Sequence, residues 1–181
     1  MRRGFKGGSP LDCIEMVVPM NPCPCGHLGS RTQQCRCTPN EIRRYLNRIS
    51  GPLLDRIDMH IEVESIPAES LSDTGLSEDS ASIRARVEKA RGVQLERYRD
   101  IGIHSNAELN ARTLAGACQM TPAAQELLLL STERLRLSNR AYTRILKVAR
   151  TIADLDAFEK IAEDQIAEAV QYRTLDRKYW G

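Results

Sequence analysis

The sequence predicts a mainly α protein with a small α/β part at its N-terminal end, and three observations predict it. From Ala81 onward apolar residues recur at helical spacing almost without interruption. Before that, two short apolar runs carry strand patterns. Between the two regions, residues 67–80 read PAESLSDTGLSEDS, an acidic, small-residue stretch of linker composition. The expected organisation is therefore residues 1–66, a linker at 67–80, and a helical domain at 81–181. A chain of 181 residues suits one or two small domains. Its net charge of +2 excludes a histone-like polycation while allowing a local basic face. No stretch approaches the roughly 18 apolar residues of a membrane helix. The opening MRRGFKGGSP has no apolar core behind its basic residues, so a secretory signal is not expected. The expectation is a cytoplasmic protein without a membrane partner.

The elements follow in order. Ile14 to Val18 is a short β-like run closed by Pro19. Pro39 begins a helix with Thr38 as N-cap and Glu41 in the first turn, and its apolar stripe is Ile42, Tyr45, Leu46 and Ile49. Ser50-Gly51-Pro52 ends that helix, and LLDR forms a short apolar turn. Ile57 to Val63 alternates apolar and polar residues, with Ile57, Met59, Ile61 and Val63 on one face of an expected strand. Ala81 to Arg99 predicts a helix with Ile83, Val87, Ala90 and Leu95 on its apolar side. Gly92 is its flaw, at about 1 kcal/mol against Ala. A short helix is expected over Asn106–Leu114. Thr121-Pro122 starts another that runs to Leu135. Ser138 caps NRAYTRILKVARTIADL, whose buried face is Tyr142, Ile145, Leu146, Ala149, Ile152 and Ala153. Glu163-Asp164 opens the last helix, with Ile166, Ala169 and Val170 inside and Arg173 near its end.

Four of the six cysteines, Cys23, Cys25, Cys35 and Cys37, fall within CPCGHLGSRTQQCRC. In a cell interior clustered thiols are more often metal ligands than disulfides. Two Cys-x-Cys pairs joined by a short loop can supply the four thiolates of a tetrahedral zinc site, although the usual spacing within a pair is wider. Pro22 and Pro24 forbid helix, and Gly26 and Gly29 permit the left-handed turns a tight loop needs. His27 is a substitute ligand or a solvated loop residue. Redox-active thiols or a reducible staple are the competing readings of the four. Cys13 and Cys118 stand alone and read as ordinary thiols.

Residues 20–63, from MNPCPCGHLG to LLDRIDMHIEV, resemble the magnesium-chelatase-like AAA+ ATPases of the YifB/ComM (competence-related) family. SNRAYTRILKVARTIADL at 138–155 and IAEAVQYR at 166–173 resemble the helical domain at the C-terminal end of the same family. The resemblance implies the end of an AAA+ core, with short strands, a cysteine-rich insertion and one helix, followed by a helical-bundle lid. The family's activity is ATP hydrolysis with Mg²⁺ by a ring, expected to be a homo-hexamer, linked to DNA branch migration and recombination. The chain has neither G-x-x-x-x-G-K-[ST] nor an apolar run ending in Asp-Glu. Without them nothing cradles the β- and γ-phosphates or holds Mg²⁺, so no turnover is expected from this chain alone.

By the same resemblance Asn21 stands at the sensor-1 position, Arg56 at the arginine finger and Arg140 at sensor 2. Each has a plainer reading. Asn21 turns the chain before Pro22. Arg56 pairs with Asp55 or Asp58 on a solvated turn. Arg140 solvates a helix start, where its charge opposes the dipole unless an anion is present. A finger is expected to project from the subunit edge toward a neighbour's ATP, and a sensor-2 arginine to sit on the lid. Arg144 and Arg150 read as helix-solvating or subunit-contact residues. Arg31, Arg36, Arg43, Arg44 and Arg48 form a basic patch, suited to DNA phosphates or to a solvated helix face. The rival to the motor fragment is a non-enzymatic zinc-knuckle and helical-bundle module that binds nucleic acid or a protein.

Overall fold

The structure, a computed structural model, describes residues 17–63 and 78–180, with side chains as far as Arg173. Its helices are α1 (Pro39–Leu46), α2 (Gly51–Leu54), α3 (Ser80–Arg97), α4 (Ala111–Ala117), α5 (Pro122–Leu135), α6 (Asn139–Leu155) and α7 (Glu163–Trp180).

Local chemistry accounts for most starts and stops. Thr38 and Glu41 form a reciprocal capping box on α1: the Glu41 backbone N–H donates to Thr38 Oγ1 at 3.4 Å, and the Thr38 N–H donates to Glu41 Oε2 at 2.7 Å. Asp79 caps α3, Thr121 caps α5 and Ser138 caps α6, each accepting a backbone N–H three residues on. Asn110 caps α4, which follows a single 3₁₀ turn at Asn106–Glu108, so the helix expected over 106–114 is divided and shifted. Helix α5 ends where Arg136 turns left-handed (φ 48°) and the Leu137 N–H reaches back to the Thr132 carbonyl. Helix α7 continues past Arg173 to Trp180.

Helix α6 is the spine of the bundle. Its Ile145, Leu146, Ala149, Ile152 and Ala153 are buried with Ala124 and Leu128 of α5, Ile166 and Ala169 of α7, and Tyr98, Leu109 and Ile161 from the connections. This is the face the helical periodicity predicts. Met120 and Ile161 form an isolated parallel bridge that ties the start of α5 to the start of α7.

A polar network runs through this core. Arg150 is fully buried and donates to Asp154 Oδ1 at 3.1 Å and to the carbonyls of Phe158 and Glu159. Arg97 grips the same carboxylate with two bonds of 3.0 and 2.5 Å. Asn106 donates to Asp154 and Thr151 while accepting from the Tyr98 hydroxyl. A buried carboxylate between two guanidiniums and an amide has its charge and lone pairs answered.

Three expectations are corrected. Ile57–Val63 is not a strand, and Val17–Val18 is not one either; residues 14–16 lie outside the described region. No β-ladder occurs among the described residues, so the small α/β part is not seen there. An alternating pattern becomes a strand only beside another strand, and here the His60 N–H instead reaches the Tyr172 carbonyl of α7 at 2.9 Å. Ile61 and Val63 are exposed as a result. On α3, Ile83, Val87 and Leu95 are also exposed, and only Ala90 and Gln94 are buried. Arg150 is a core residue rather than a surface one. Of the expected linker, residues 67–77 lie outside the described region, and Ser80 already belongs to α3.

Candidate metal centre and basic cleft

The loop before α1 folds back on itself through two glycines at positive φ, Gly26 at 82° and Gly29 at 80°. The Gly26 N–H closes a turn onto the Cys23 carbonyl, and the Ser30 N–H closes another onto His27. These turns bring both Cys-x-Cys pairs to one point. Cys23 Sγ lies 3.4 Å from Cys25 Sγ and 3.7 Å from Cys35 Sγ, and Cys25 is 3.6 Å from Cys35. With Cys37 included, all four sulfurs lie within 4.8 Å of one another. Four thiolates on a zinc ion at about 2.3 Å would stand roughly 3.8 Å apart, so the cluster has the dimensions of such a site. His27 is not part of it.

The thiols are unequal. Backbone hydrogen bonds, first from Arg36 and then from His27, lower the Cys25 thiol to about 6 against the effect of burial. Burial, with the sulfurs of Cys25, Cys23 and Cys35, pushes Cys37 up to about 12. For Cys35 a backbone bond from Cys37 acts downward, but burial and the Cys25 and Cys23 sulfurs outweigh it and raise the thiol. Four sulfurs this close cannot all ionise without a cation among them. Cys118 is remote, buried in the bundle, and raised to about 11 chiefly by that burial. Cys13 lies outside the described region.

A second feature is a cleft of about 790 Å³ between the α2–His60 segment and the outer face of α6 and α7. Arg56, Arg140, Arg144 and Lys147 line it, against the acids Asp58 and Glu168. Thr143, Thr151 and Tyr172 add hydroxyls. Burial lowers Lys147, and the Arg144 charge lowers it further. Burial also lowers Arg144, as does nearby Arg173, with Asp55 acting in the opposite sense. The cleft is thus crowded with positive charge.

The two acids beside Arg56 have other partners. Asp58 is taken by Arg144, and Asp55 is taken by Arg173 at 3.6 Å. Arg56 itself is exposed and, among the described residues, engaged by neither acid. Arg140 is likewise exposed on the first turn of α6. Two arginines separated by 84 residues of sequence therefore line one cleft. Asn21 does not line it. Asn21 is exposed beside the cysteine loop, its amide 3.7 Å from where a Cβ on Gly26 would stand. Arg31, Arg36, Arg43, Arg44 and Arg48 are all exposed around that loop and α1.

Reading helix faces by their apolar residues alone passes over Arg173. It is buried on α7 and donates to the carbonyls of Leu54 and Ile57, at 3.5 and 2.5 Å. The signal was present: Ile166, Ala169, Val170 and Arg173 follow the i, i+3, i+4, i+7 rule of a single helix face.

Comparison with known proteins places these features. The family described as magnesium chelatase, subunit ChlI C-terminal, matches residues 77–173, and the one described as magnesium chelatase, subunit ChlI, matches residues 11–71. The competence protein ComM of Haemophilus influenzae is 43% identical over 165 residues, covering 91% of this chain and 31% of the relative. An uncharacterized YifB protein of Escherichia coli is 40% identical over the same share of each chain. An uncharacterized protein of Mycobacterium bovis is 34% identical over 160 residues, 88% of this chain and 31% of its own. The chain thus spans about a third of the length of the curated relatives it matches. With the LLDRID turn, the cysteine loop and the α6–α7 bundle all inside the matched stretches, the chain belongs to the magnesium-chelatase-like family that includes ComM and YifB.

Proposed function

We propose that this chain is the phosphate-sensing, subunit-contacting portion of an ATP-driven ring motor that processes DNA in the manner of ComM-type proteins. One observation carries the reading: Arg56 and Arg140 line one cleft while the acids flanking Arg56 are held by Arg144 and Arg173. A guanidinium left available beside others favours a multiply charged anion, and phosphate oxygens accept its forked donors two at a time. Helix α6 adds its N-terminal dipole, so an anion near Arg140 is favoured on two counts.

The division of labour follows from position. Arg56 and Arg140 act together on one triphosphate, that of the neighbouring subunit in a homo-hexameric ring. Arg56 stabilises charge on the γ-phosphoryl group as bonds exchange, and Arg140 holds the phosphate in the ground state. Asn21, outside the cleft, serves the chain's own nucleotide as sensor 1. ATP and Mg²⁺ are bound by the phosphate loop and acidic pair of the intact parent, and the isolated chain does not turn over. Cys23, Cys25, Cys35 and Cys37 hold a structural zinc ion, supported by the sulfur spacing. The ion closes the loop on which Arg31 and Arg36 stand, and the exposed basic residues from Arg31 to Arg48 contact DNA phosphates. The non-enzymatic module gains nothing from the cleft, because it leaves Arg56 and Arg140 without a ligand.

The test is made in the intact parent ring. Arg56→Ala should cut ATP hydrolysis by about 10³ with ATP binding nearly intact. Mixing these subunits with subunits dead in their own phosphate loop should restore part of the activity, because one working finger then meets one working loop. A loss below about threefold, small against the usual finger effect, would sink the reading, as would mixtures that never complement.

A further inference from the structure

The turn that carries Arg56 has little structure of its own. Helix α2 is one turn long, and residues 57–63 form no strand. A side chain on such a segment would ordinarily sample many positions, and a phosphate ligand would have to be bound at the cost of ordering it. Yet the segment is held to the bundle at three places. Arg173 of α7 reaches the Leu54 and Ile57 carbonyls and the Asp55 carboxylate. Arg144 of α6 pairs with Asp58. The His60 N–H bonds to the Tyr172 carbonyl. Arg173 is the buried one, with its side chain 1% exposed. Its three partners bracket Arg56 on both sides, at residues 54, 55 and 57.

We infer that Arg173 is a positioning residue for Arg56: by clamping residues 54–57 onto α7 it makes the Arg56 turn and the Arg140-bearing bundle one rigid presenting unit. The inference rests on the proposed reading of Arg56 and Arg140 as phosphate-binding groups. The chemistry favours arginine at this place. A planar guanidinium can serve two carbonyls and a carboxylate at once, whereas a lysine ammonium offers a point charge without that span. Being always charged and buried, Arg173 also has to keep these partners, which makes the clamp persistent. The substrate it acts toward is the polyphosphate in the cleft, through Arg56 and not by contact.

Two measurements on the full chain separate the clamp from the binding role. The first is amide hydrogen exchange in Arg173→Lys and Arg173→Met. Protection over residues 53–60 should fall by about tenfold or more while α5 and α6 keep theirs, because local opening and global unfolding are distinct processes. Unchanged protection at 53–60 overturns the inference. So does a uniform loss across the bundle in Arg173→Lys, which would make Arg173 a general core residue. The second is a double-mutant cycle with inorganic tripolyphosphate as probe. Arg56→Ala and Arg173→Met should each weaken binding about tenfold, the loss of one charge-assisted contact, and together should weaken it no further. Arg140→Ala should add to either. Additive losses for Arg56 and Arg173 would overturn the inference. If the wild-type chain binds no tripolyphosphate, the phosphate reading of the cleft fails, and the exchange measurement alone decides the clamp. Should Arg173→Met not fold, Asp55→Asn, which removes one of the clamp's partners, enters the cycle in its place.

Discussion

Asp154 shows how much one side chain can organise. It accepts from Arg97, Arg150 and Asn106, and these come from α3, α6 and the 3₁₀ turn at 106–108. Asp154→Asn keeps the shape but removes the charge between two guanidiniums, one of them fully buried. The expected loss is about 3–5 kcal/mol, read by urea unfolding, since breaking a buried pair leaves an unanswered charge. Tyr98→Phe, which deletes only the bond to Asn106, should cost about 1–2 kcal/mol by the same measurement. These buried polar residues were the least legible part of the sequence. Apolar periodicity marks a helix face by its leucines and alanines, so Arg150 reads as a helix-solvating or subunit-contact residue although it is buried. Arg150 pairs with Asp154 one turn on but also reaches the Phe158 and Glu159 carbonyls beyond the helix, and Arg173 reaches the Leu54 and Ile57 carbonyls far back in the chain, contacts that no local pattern carries. Arg56 and Arg140 could be singled out only through resemblance. That they line a common cleft comes from the packing of residues 54–60 against α6 and α7.

Helices were far more legible, because their ends are written in local chemistry. Thr38, Thr121 and Ser138 cap where capping rules place them, and the inner face of α6 is the one its spacing predicts. The strand expected at Ile57–Val63 failed for a non-local reason: alternation records which side chains share a face, while pairing depends on a neighbour. The caps differ in how they respond to acid. Bonds to Thr38, first from its backbone and then its hydroxyl, hold the Glu41 carboxyl below its ordinary range, and the Ser82 N–H does the same for Asp79. A carboxyl depressed in the folded state stabilises above its unfolded pKa, about 4, and loses that contribution as pH falls through the folded value. Acidification below the ordinary carboxylate range of about 4 should therefore loosen the starts of α1 and α3 in amide exchange. The hydroxyl caps of α5 and α6 do not titrate and should hold. Helix α3 offers a second test. Gly92 lies in its interior with open space where a Cβ would go. Gly92→Ala should raise stability by about 0.5–1 kcal/mol in chemical unfolding. A loss instead would mean that α3 bends or packs at Gly92.

At the scale of the molecule, the cysteine loop and the bundle are stabilised by different means. None of the four clustered cysteines belongs to the apolar core around α6. Elemental analysis of the purified chain should give about one zinc per chain, the stoichiometry of a four-thiolate site. Chelation, or Cys25→Ser with Cys35→Ser, should release the metal and expose the loop to protease, with the bundle's unfolding transition little changed. Metal-free protein with all four thiols alkylated in the native state would remove the zinc assignment. The cysteine pattern was readable because ligand spacing is itself a sequence property. How the loop stands relative to the cleft was not, since that depends on contacts between distant residues.

The Arg173 clamp also has a consequence for the order in which the protein is made. Leu54 and the arginine that holds its carbonyl are 119 positions apart in the chain. A ribosome adding about 5–20 residues each second needs roughly 6–24 seconds to cover that interval. During it the cysteine loop can already close on a metal, while the Arg56 turn has nothing to rest against. The nascent chain can therefore close its cysteine loop early but orders the Arg56 turn only when α7 emerges. A chain interrupted before Arg173 would carry Arg56 on a turn with no clamp to hold it.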